Sequence, residues 1–160
     1  MLSCEQDAFF MTKALEQARI AFEKGEVPVG ALLVLDGEIL AADHNRVETD
    51  MDPTAHAEVL SLRRAGLSQK NWRLNRASLY VTLEPCHMCM GAILLARISR
   101  LVWGAFDPRM GGSRFHAQWE ESCRWATLPD MRGGVLQDEA LHLVQTFFAC
   151  QRSKRNDSSS

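Results

Sequence analysis

The sequence predicts a layered α/β domain in which helices pack on a mixed sheet. Helical and strand-like apolar patterns alternate along the chain, an Asp36-Gly37 pair separates two strand-like segments, and 160 residues suit a single domain. Such alternation is typical of layered α/β folds. We expect one domain over residues 1–152, followed by a disordered basic and serine-rich tail over residues 153–160.

The first predicted elements are a helix and a hairpin. Apolar side chains recur at helical spacing over residues 5–24, and Gly25 is expected to end that helix. Residues 29–35 and 38–44 are predicted to be strands. The Asp-Gly pair between them is the strongest short-range hairpin signal, so we expect these two strands to pair with each other.

The remaining predicted elements alternate in type. We expect a helix over residues 55–65, a buried strand over 78–83, a helix over 85–96, a strand over 100–104 and, after a long loop, an amphipathic helix over 138–152. Two polar motifs therefore follow strands and open helices. Open α/β sheets place binding sites at such positions.

These two motifs are His-Ala-Glu at residues 56–58 and Pro-Cys-His-Met-Cys at residues 85–89. Cys86 and Cys89 are three positions apart, so on a helix both sulfurs lie on one face and can close on one ion. Zinc takes histidine nitrogen and cysteine sulfur, and a catalytic zinc site uses three protein ligands so that water can hold the fourth position. We expect His56, Cys86 and Cys89 to bind one zinc ion.

Glu58 has the position of a proton shuttle. It follows His56 by two residues, which brings its carboxyl close to the metal without making it a ligand. General acid–base chemistry would have Glu58 take a proton from water and deliver it to the substrate. A sealed pocket would raise the pKa of such a carboxyl toward neutrality.

Two other interpretations of the cysteine pair remain open at this stage. A structural zinc site is usually closed by a fourth ligand, for which His87 and Cys123 are the candidates. His87 lies between the two cysteines and should point away from their common face, whereas Cys123 belongs to a distant loop-like segment. A redox C-x-x-C pair would explain neither His56 nor Glu58.

Composition limits the compartment and the partners. The net charge of −2 is close to zero, so any contact with RNA has to be local. Five cysteines, an odd number, together with no apolar signal segment and no run long enough to span a bilayer, favour a reducing compartment. We expect a cytoplasmic protein without a membrane segment.

Four segments, at residues 27–31, 52–58, 79–86 and 104–107, resemble the bacterial tRNA-specific adenosine deaminases, and the resemblance extends over about residues 7–152. It implies the cytidine deaminase-like three-layer α/β/α fold and a homodimer. It also implies zinc-dependent conversion of adenosine to inosine at the wobble position, position 34, in the anticodon loop of tRNA, with release of ammonia.

The resemblance also implies substrate-binding residues. Asn45 would hydrogen-bond the flipped base, Val29 and Ala57 would line its pocket, and Asp107 would contact the sugar of a neighbouring nucleotide. Two further positions would contact the RNA backbone and stack on the anticodon loop: Arg109, where the family carries lysine, and Phe148. Residues 108–115 lack the alanine-rich glycine turn of the family, a departure that concerns RNA contacts and leaves the zinc ligands unchanged.

Ordinary structural roles remain open for several of these residues. Asn45 follows a strand and could be a turn former, and Asp107 could be a turn aspartate before Pro108. Val29 could be a plain core residue. Phe147 and Phe148 are adjacent on a predicted helix and cannot both face the core, so one exposed ring is expected.

Two rival functions follow from the same motifs. One is a deaminase of the same scaffold that acts on free guanine, cytosine, a deoxycytidine nucleotide, or a pterin or riboflavin-pathway base. The other is a non-catalytic, zinc-stabilised RNA-binding subunit. Glu58 argues against the second, because a protein that only binds RNA does not need a proton shuttle.

Overall fold

In the computed structural model, which describes residues 3–158, the strands of that part of the chain form one five-stranded sheet. The strands are β1 (Gly30–Leu35), β2 (Glu38–His44), β3 (Ser78–Leu83), β4 (Arg100–Ala105) and β5 (Asp130–Arg132). Their order is β2-β1-β3-β4-β5. β1 runs antiparallel to β2 and β3, whereas β3, β4 and β5 are parallel, so the sheet is mixed as predicted.

The helices of the described residues are α1 (Cys4–Glu23), α2 (Val47–Asp50), α3 (Ala57–Gln69), α4 (His87–Leu95), α5 (His116–Ser122) and α6 (Gln137–Asp157), with a 3-10 turn at Ser113–Phe115. α1 and α6 pack against one face of the sheet, and α3 packs against the other face together with α4. The three-layer α/β/α architecture is therefore confirmed.

Alternating strand residues build the two cores. Leu33 and Leu79 belong to the core beneath α3 and α4, whereas their neighbours Leu32 and Tyr80 belong to the core beneath α1. This alternation follows from the two-residue period of a strand, which sends successive side chains to opposite faces. Because both faces are covered, the central strands are mostly apolar.

The predicted hairpin is present between β1 and β2. Asp36 and Gly37 both have positive φ, 51° and 84°. A two-residue type I′ turn requires this conformation, and Asp-Gly is among the sequences that adopt it most readily. The hairpin brings the end of β2, and Asn45 directly after it, back beside Val29, whose carbonyl accepts the Asn45 N–H at 3.0 Å.

Several predicted boundaries were wrong. α3 and α4 each begin two residues later than expected, because His56 and Cys86 have extended backbone and serve as N-caps. α6 continues to Asp157, so residues 153–157 are helical where the sequence predicted a disordered tail, and Ser159 and Ser160 lie outside the described residues. Three short elements, α2, α5 and β5, were not predicted.

A buried ion cluster ties α1 to the sheet. The Asp7 carboxylate is fully buried and accepts hydrogen bonds from Arg100 at 2.6 Å, from Arg132 at 2.6 Å and from the Tyr80 hydroxyl at 2.7 Å. Burial alone would raise the pKa of Asp7, but the hydrogen bonds from Arg100 and Tyr80 and the charges of the two arginines lower it. The negative charge of Asp7 therefore stabilises the native fold.

Between residues 3 and 158, no helix is both long enough and apolar enough to cross a lipid bilayer.

Candidate metal centre and substrate cavity

The three predicted metal ligands lie together at the starts of two helices. His56 is the N-cap of α3, Cys86 is the N-cap of α4, and Cys89 lies in the first turn of α4. Each N-cap carbonyl accepts the first helical hydrogen bond, from Leu60 at 3.0 Å and from Met90 at 2.9 Å. The N–H groups of both first turns therefore lie close to the cluster, where they favour thiolate sulfur.

The distances within this cluster fit a zinc ion. His56 Nδ1 lies 3.7 Å from Cys86 Sγ and 3.5 Å from Cys89 Sγ. Tetrahedral zinc with ordinary Zn–N and Zn–S bonds has N···S edges of about 3.5–3.6 Å. One imidazole nitrogen and two sulfurs are also the donor types that zinc prefers, so the residues present fit the metal.

The pKa values of the Cys86 and Cys89 thiols shift in opposite directions. The hydrogen bond from the Cys89 thiol lowers the pKa of Cys86 to about 4, assisted by His56 and the Cys89 backbone N–H, although burial opposes the shift. The same hydrogen bond, together with burial, raises the pKa of Cys89. The hydrogen bond with Cys86 raises the pKa of His56, while burial lowers it. The lowered pKa favours the thiolate form of Cys86, whereas metal binding would have to release the proton of Cys89.

The candidates for a fourth ligand do not join the cluster. His87 is exposed and packs in tilted geometry against the rings of Phe115 and Trp119, at 4.7 and 6.1 Å between ring centroids, so it points away from the cysteines as predicted. Over residues 3–158, the metal-ligating group consists of His56, Cys86 and Cys89. Cys123 ends α5 outside this group, and all five cysteines are free thiols.

Glu58 is buried beside the ligands. It lies in the first turn of α3, its exposed fraction is 4%, and its carboxyl contacts the Cys89 thiol. Burial raises the pKa of Glu58 above its usual range, against the opposing effects of its own backbone N–H and of His56. A carboxyl whose pKa is raised is better suited to donate as well as accept a proton.

One cavity of about 550 Å³ opens onto this cluster and is lined by His56, Glu58 and Cys86. Its volume lies within the range of small-molecule sites, and most of its wall is apolar. The same cavity is lined by all six residues that the resemblance assigned to substrate binding: Val29, Asn45, Ala57, Asp107, Arg109 and Phe148. The fold therefore brings together residues from five separate segments of the chain, although their roles stay predictions.

Asn45 and Val29 form one corner of the cavity. The Asn45 side-chain amide donates to the Val27 carbonyl at 3.3 Å and its oxygen accepts the Val47 N–H at 3.4 Å, so Asn45 does shape a turn. An amide has two N–H donors and two lone pairs on oxygen, so both roles are compatible. Val29 is 9% exposed and belongs to the core as well as to the cavity wall.

Asp107 and Arg109 belong to another part of the cavity wall. Asp107 Oδ1 accepts the backbone N–H groups of Arg109 at 2.9 Å and Met110 at 3.1 Å, which is the geometry of a turn aspartate. Its carboxylate still borders the cavity. The Arg109 side chain is exposed at the mouth, where it can approach a phosphate.

Of the two adjacent phenylalanines of α6, one is buried and one is exposed, as predicted. Phe147 is 6% exposed and packs edge-on against Phe22, whereas Phe148 is 43% exposed and borders the cavity. The two rings meet edge to face at 5.5 Å. Phe147 thus packs in the interior and Phe148 presents its ring to the cavity and to solvent.

Two buried glutamates near the cavity were missed as site residues. Glu26 accepts the N–H groups of Glu48 and Thr49, at 3.2 and 2.6 Å, and so fixes α2 at the cavity edge. Glu84 accepts the backbone N–H of Asp107, which lies just after β4, at 2.9 Å. Glu84 directly precedes Pro85 in the cysteine motif, and this position was the one feature of the sequence that could have marked it as a site residue. No feature of the sequence marks Glu26 in this way.

Comparisons with known proteins all find deaminases. The model of the MafB19-like deaminase family matches residues 5–126. The tRNA-specific adenosine deaminase of Bacillus subtilis is 43% identical over 150 residues, which cover 94% of this chain and 93% of that protein. A solved structure from a study of A-to-I editing by tRNA:A34 deaminases superposes with a TM-score of 0.78 at 45% identity, covering 84% of this chain and 98% of that one.

The same fold also occurs in an enzyme with a different substrate. A guanine deaminase structure from Nitrosomonas europaea superposes with a TM-score of 0.73 at 25% identity, covering 88% of this chain and 83% of that one. The fold alone therefore does not fix the base that is deaminated.

Proposed function

Because this chain belongs to the bacterial tRNA-specific adenosine deaminases, we propose that it hydrolyses the wobble adenosine, position 34 of tRNA, to inosine and ammonia with zinc as cofactor. One observation carries the proposal: a buried carboxyl, Glu58, shares a cavity with a His-Cys-Cys cluster of zinc geometry. A structural metal knot or a redox pair would not require Glu58 at that place.

We propose one zinc ion per chain, held by His56, Cys86 and Cys89. When bound, zinc supplies water activation, because it makes water a stronger acid at neutral pH. Two thiolate ligands cancel the formal charge of the ion, so the acidification should be weaker than at an all-histidine site. A separate base is then needed, and Glu58 is placed to be that base.

Glu58 carries the protons of the reaction. It accepts a proton from the attacking water and delivers it to N1 of adenine as the C6–O bond forms, which leaves a tetrahedral carbon. It then transfers the second proton of the water to the amino group, so that the C6–N bond breaks and ammonia departs. Adenosine and water are consumed, inosine and ammonia are formed, and Glu58 returns to its starting state.

The cavity walls orient the nucleotide. The Asn45 amide hydrogen-bonds the flipped base, and Val29 and Ala57 hold its apolar faces. Asp107 binds the sugar of a neighbouring nucleotide and Arg109 attracts a phosphate. An anticodon base is already unpaired, so flipping it into the cavity costs little free energy.

α6 extends the RNA surface beyond the cavity. Phe148 stacks on a base, and exposed Arg152, four residues later on the same face, approaches the backbone. Single-stranded RNA is read by stacking and by contacts to base edges, which suits an enzyme whose net charge is only −2. A tRNA substrate also supports the expected cytoplasmic location, which stays a prediction.

A homodimer is part of the proposal. α4 is apolar on nearly all sides, and Met88 and Leu95, seven residues apart on one face, are 37% and 59% exposed. A helix that is apolar all round is normally buried. A second copy of this chain covering that face would bury it.

A substrate panel tests this function against its rivals. Zinc-loaded protein is incubated with tRNA that carries adenosine at position 34, and separately with free adenosine, guanine and cytidine, and ammonia and inosine are measured. Product from the tRNA alone is expected. Ammonia only from guanine would assign the activity of the structurally similar guanine deaminase, and no product from any substrate would favour a binding subunit.

A further inference from the structure

Glu84 connects the turn that carries Cys86 with the loop of the cavity wall that begins at Asp107. It follows β3, precedes Pro85 and Cys86, and is 6% exposed. Its carboxylate accepts three hydrogen bonds: from the Asp107 N–H to Oε2 at 2.9 Å, and from the Ser113 N–H and hydroxyl to Oε1 at 3.1 and 2.5 Å. Both oxygens are therefore engaged, and all three donors belong to one loop.

These donors lie at the two ends of the loop at residues 107–113. Asp107 begins the loop and Ser113 ends it, so a single carboxylate holds both ends. Between them, Asp107, Arg109 and Met110 face the cavity. This loop also belongs to the part of the chain that departs from the family pattern.

Backbone contacts hold the same loop against the cysteine turn. Gly111 pairs with Cys86 in an isolated antiparallel bridge, and the Gly112 N–H donates to the Pro85 carbonyl at 2.8 Å. A Cβ atom on Gly111 would collide with the Glu84 carboxylate. At Gly111 there is therefore no room for a side chain between the loop backbone and the Glu84 carboxylate.

We propose that Glu84 is a positioning residue for substrate binding: it fixes the 107–113 loop, and through it Asp107 and Arg109, against the cavity. The proposal rests on the proposed deamination of tRNA for its kinetic consequence. Both oxygens of Glu84 accept hydrogen bonds from the loop, so the role we assign to it is to hold the loop. The proposed effect is on binding of the RNA, not on proton transfer.

The isosteric change Glu84→Gln separates this role from simple packing. Glutamine keeps the shape but replaces one oxygen by an NH2 group, which then faces an N–H donor of Asp107 or of Ser113. Ser113→Ala removes only the hydroxyl bond, and Gly111→Ala pushes against the carboxylate from the other side. Glu38→Gln, an exposed position on the hairpin, is the matched control.

Three measurements are made on each zinc-loaded variant: hydrogen exchange of the peptide over residues 107–113, zinc content, and steady-state kinetics with tRNA. For Glu84→Gln we expect faster exchange in this peptide and a KM raised by about tenfold or more, because misplaced contact residues lose affinity. Zinc content and kcat should stay close to wild type. Ser113→Ala and Gly111→Ala should change KM in the same direction, and Glu38→Gln should change nothing.

Two outcomes would overturn the proposal. Wild-type exchange and KM in Glu84→Gln would show that the loop does not depend on the carboxylate. Loss of zinc, or faster exchange throughout the chain, would make Glu84 a residue of the metal turn or of the fold. If the wild-type protein forms no inosine, the proposed function fails, and the exchange of the 107–113 peptide still decides whether Glu84 holds the loop.

Discussion

Two buried glutamates lie next to the metal-ligating turns and differ in their surroundings. Glu84 has three hydrogen-bond donors on its carboxylate, whereas burial raises the pKa of Glu58. Surroundings of this kind decide whether a carboxyl organises structure or exchanges protons. We therefore assign proton transfer to Glu58 and the positioning of the 107–113 loop to Glu84.

Replacing Glu58 by glutamine tests its role as proton carrier. We expect turnover to fall by at least about 10²-fold, because glutamine cannot shuttle a proton. Zinc content and the thermal midpoint of unfolding should be unchanged or slightly higher, since a buried carboxyl with a raised pKa is replaced by a neutral group of the same shape. Single-turnover inosine formation and metal analysis are the measurements, and loss of the fold in this variant would contradict the assignment.

Removing one thiolate tests the metal centre. In Cys89→Ser we expect zinc to fall from about one ion per chain to near zero, because a serine hydroxyl is not among the ligands that zinc takes at such sites. Metal analysis after dialysis is the measurement. Cys150→Ser, an exposed thiol outside the cluster, is the matched control and should keep its zinc. Full zinc content in Cys89→Ser would refute the proposed ligand set.

The sequence was sufficient to select His56, Cys86, Cys89 and Glu58 as candidates, and the structure brings the three candidate ligands together; their roles stay predictions. The sequence was not sufficient for Glu26 and Glu84. Glu26 bonds to residues 22 and 23 positions away, and Glu84 to residues 23 and 29 positions away. Such partners become visible only when the chain is folded.

Among the elements, β1 to β4 and the starts of α1, α3, α4 and α6 were predicted within about two residues, whereas α3 and α6 end at Gln69 and Asp157, beyond their predicted ends at residues 65 and 152. The hairpin depends on Asp36-Gly37, and β3 depends on an apolar run, both of which are local. α2 has four residues and β5 has three, too few for a periodic signal. α2 is held by Glu26, and β5 by pairing with β4, so tertiary contacts produce both elements.

The charge of Asp7 makes the stability of the fold depend on pH in the acid range. Its pKa is lowered in the native state, so its charge stabilises the fold fully above the unfolded-state pKa of about 3.9. This contribution is lost as the pH falls through that value toward the native pKa. We expect Asp7→Asn to cost about 3–5 kcal/mol at pH 7, because Arg100 and Arg132 lose their buried partner.

The measurement for this prediction is urea unfolding of wild type and Asp7→Asn from pH 7 down to pH 3. The difference between the two proteins should be constant down to about pH 5 and then shrink. Asp130→Asn removes an exposed carboxylate, 3.6 Å from Arg100 Nε, and should cost less than about 1 kcal/mol. A difference that stays constant to pH 3 would show that the charge of Asp7 does not matter.

For the whole molecule, the exposed apolar face of α4 predicts self-association. Leu95→Glu places a charge in the proposed contact, so sedimentation should show monomers where the wild type forms dimers. Ile39→Glu changes a similarly exposed apolar side chain on the hairpin and should leave the dimer intact. Wild-type protein that sediments only as a monomer at working concentration would refute the homodimer.

The most direct measurement maps inosine in tRNA after incubation with the zinc-loaded protein. We predict inosine at position 34 and at no other adenosine, with one ammonia released per inosine and neither product from Glu58→Gln. Inosine formed equally by Glu58→Gln, or ammonia released from free guanine while the tRNA stays unmodified, would contradict the account.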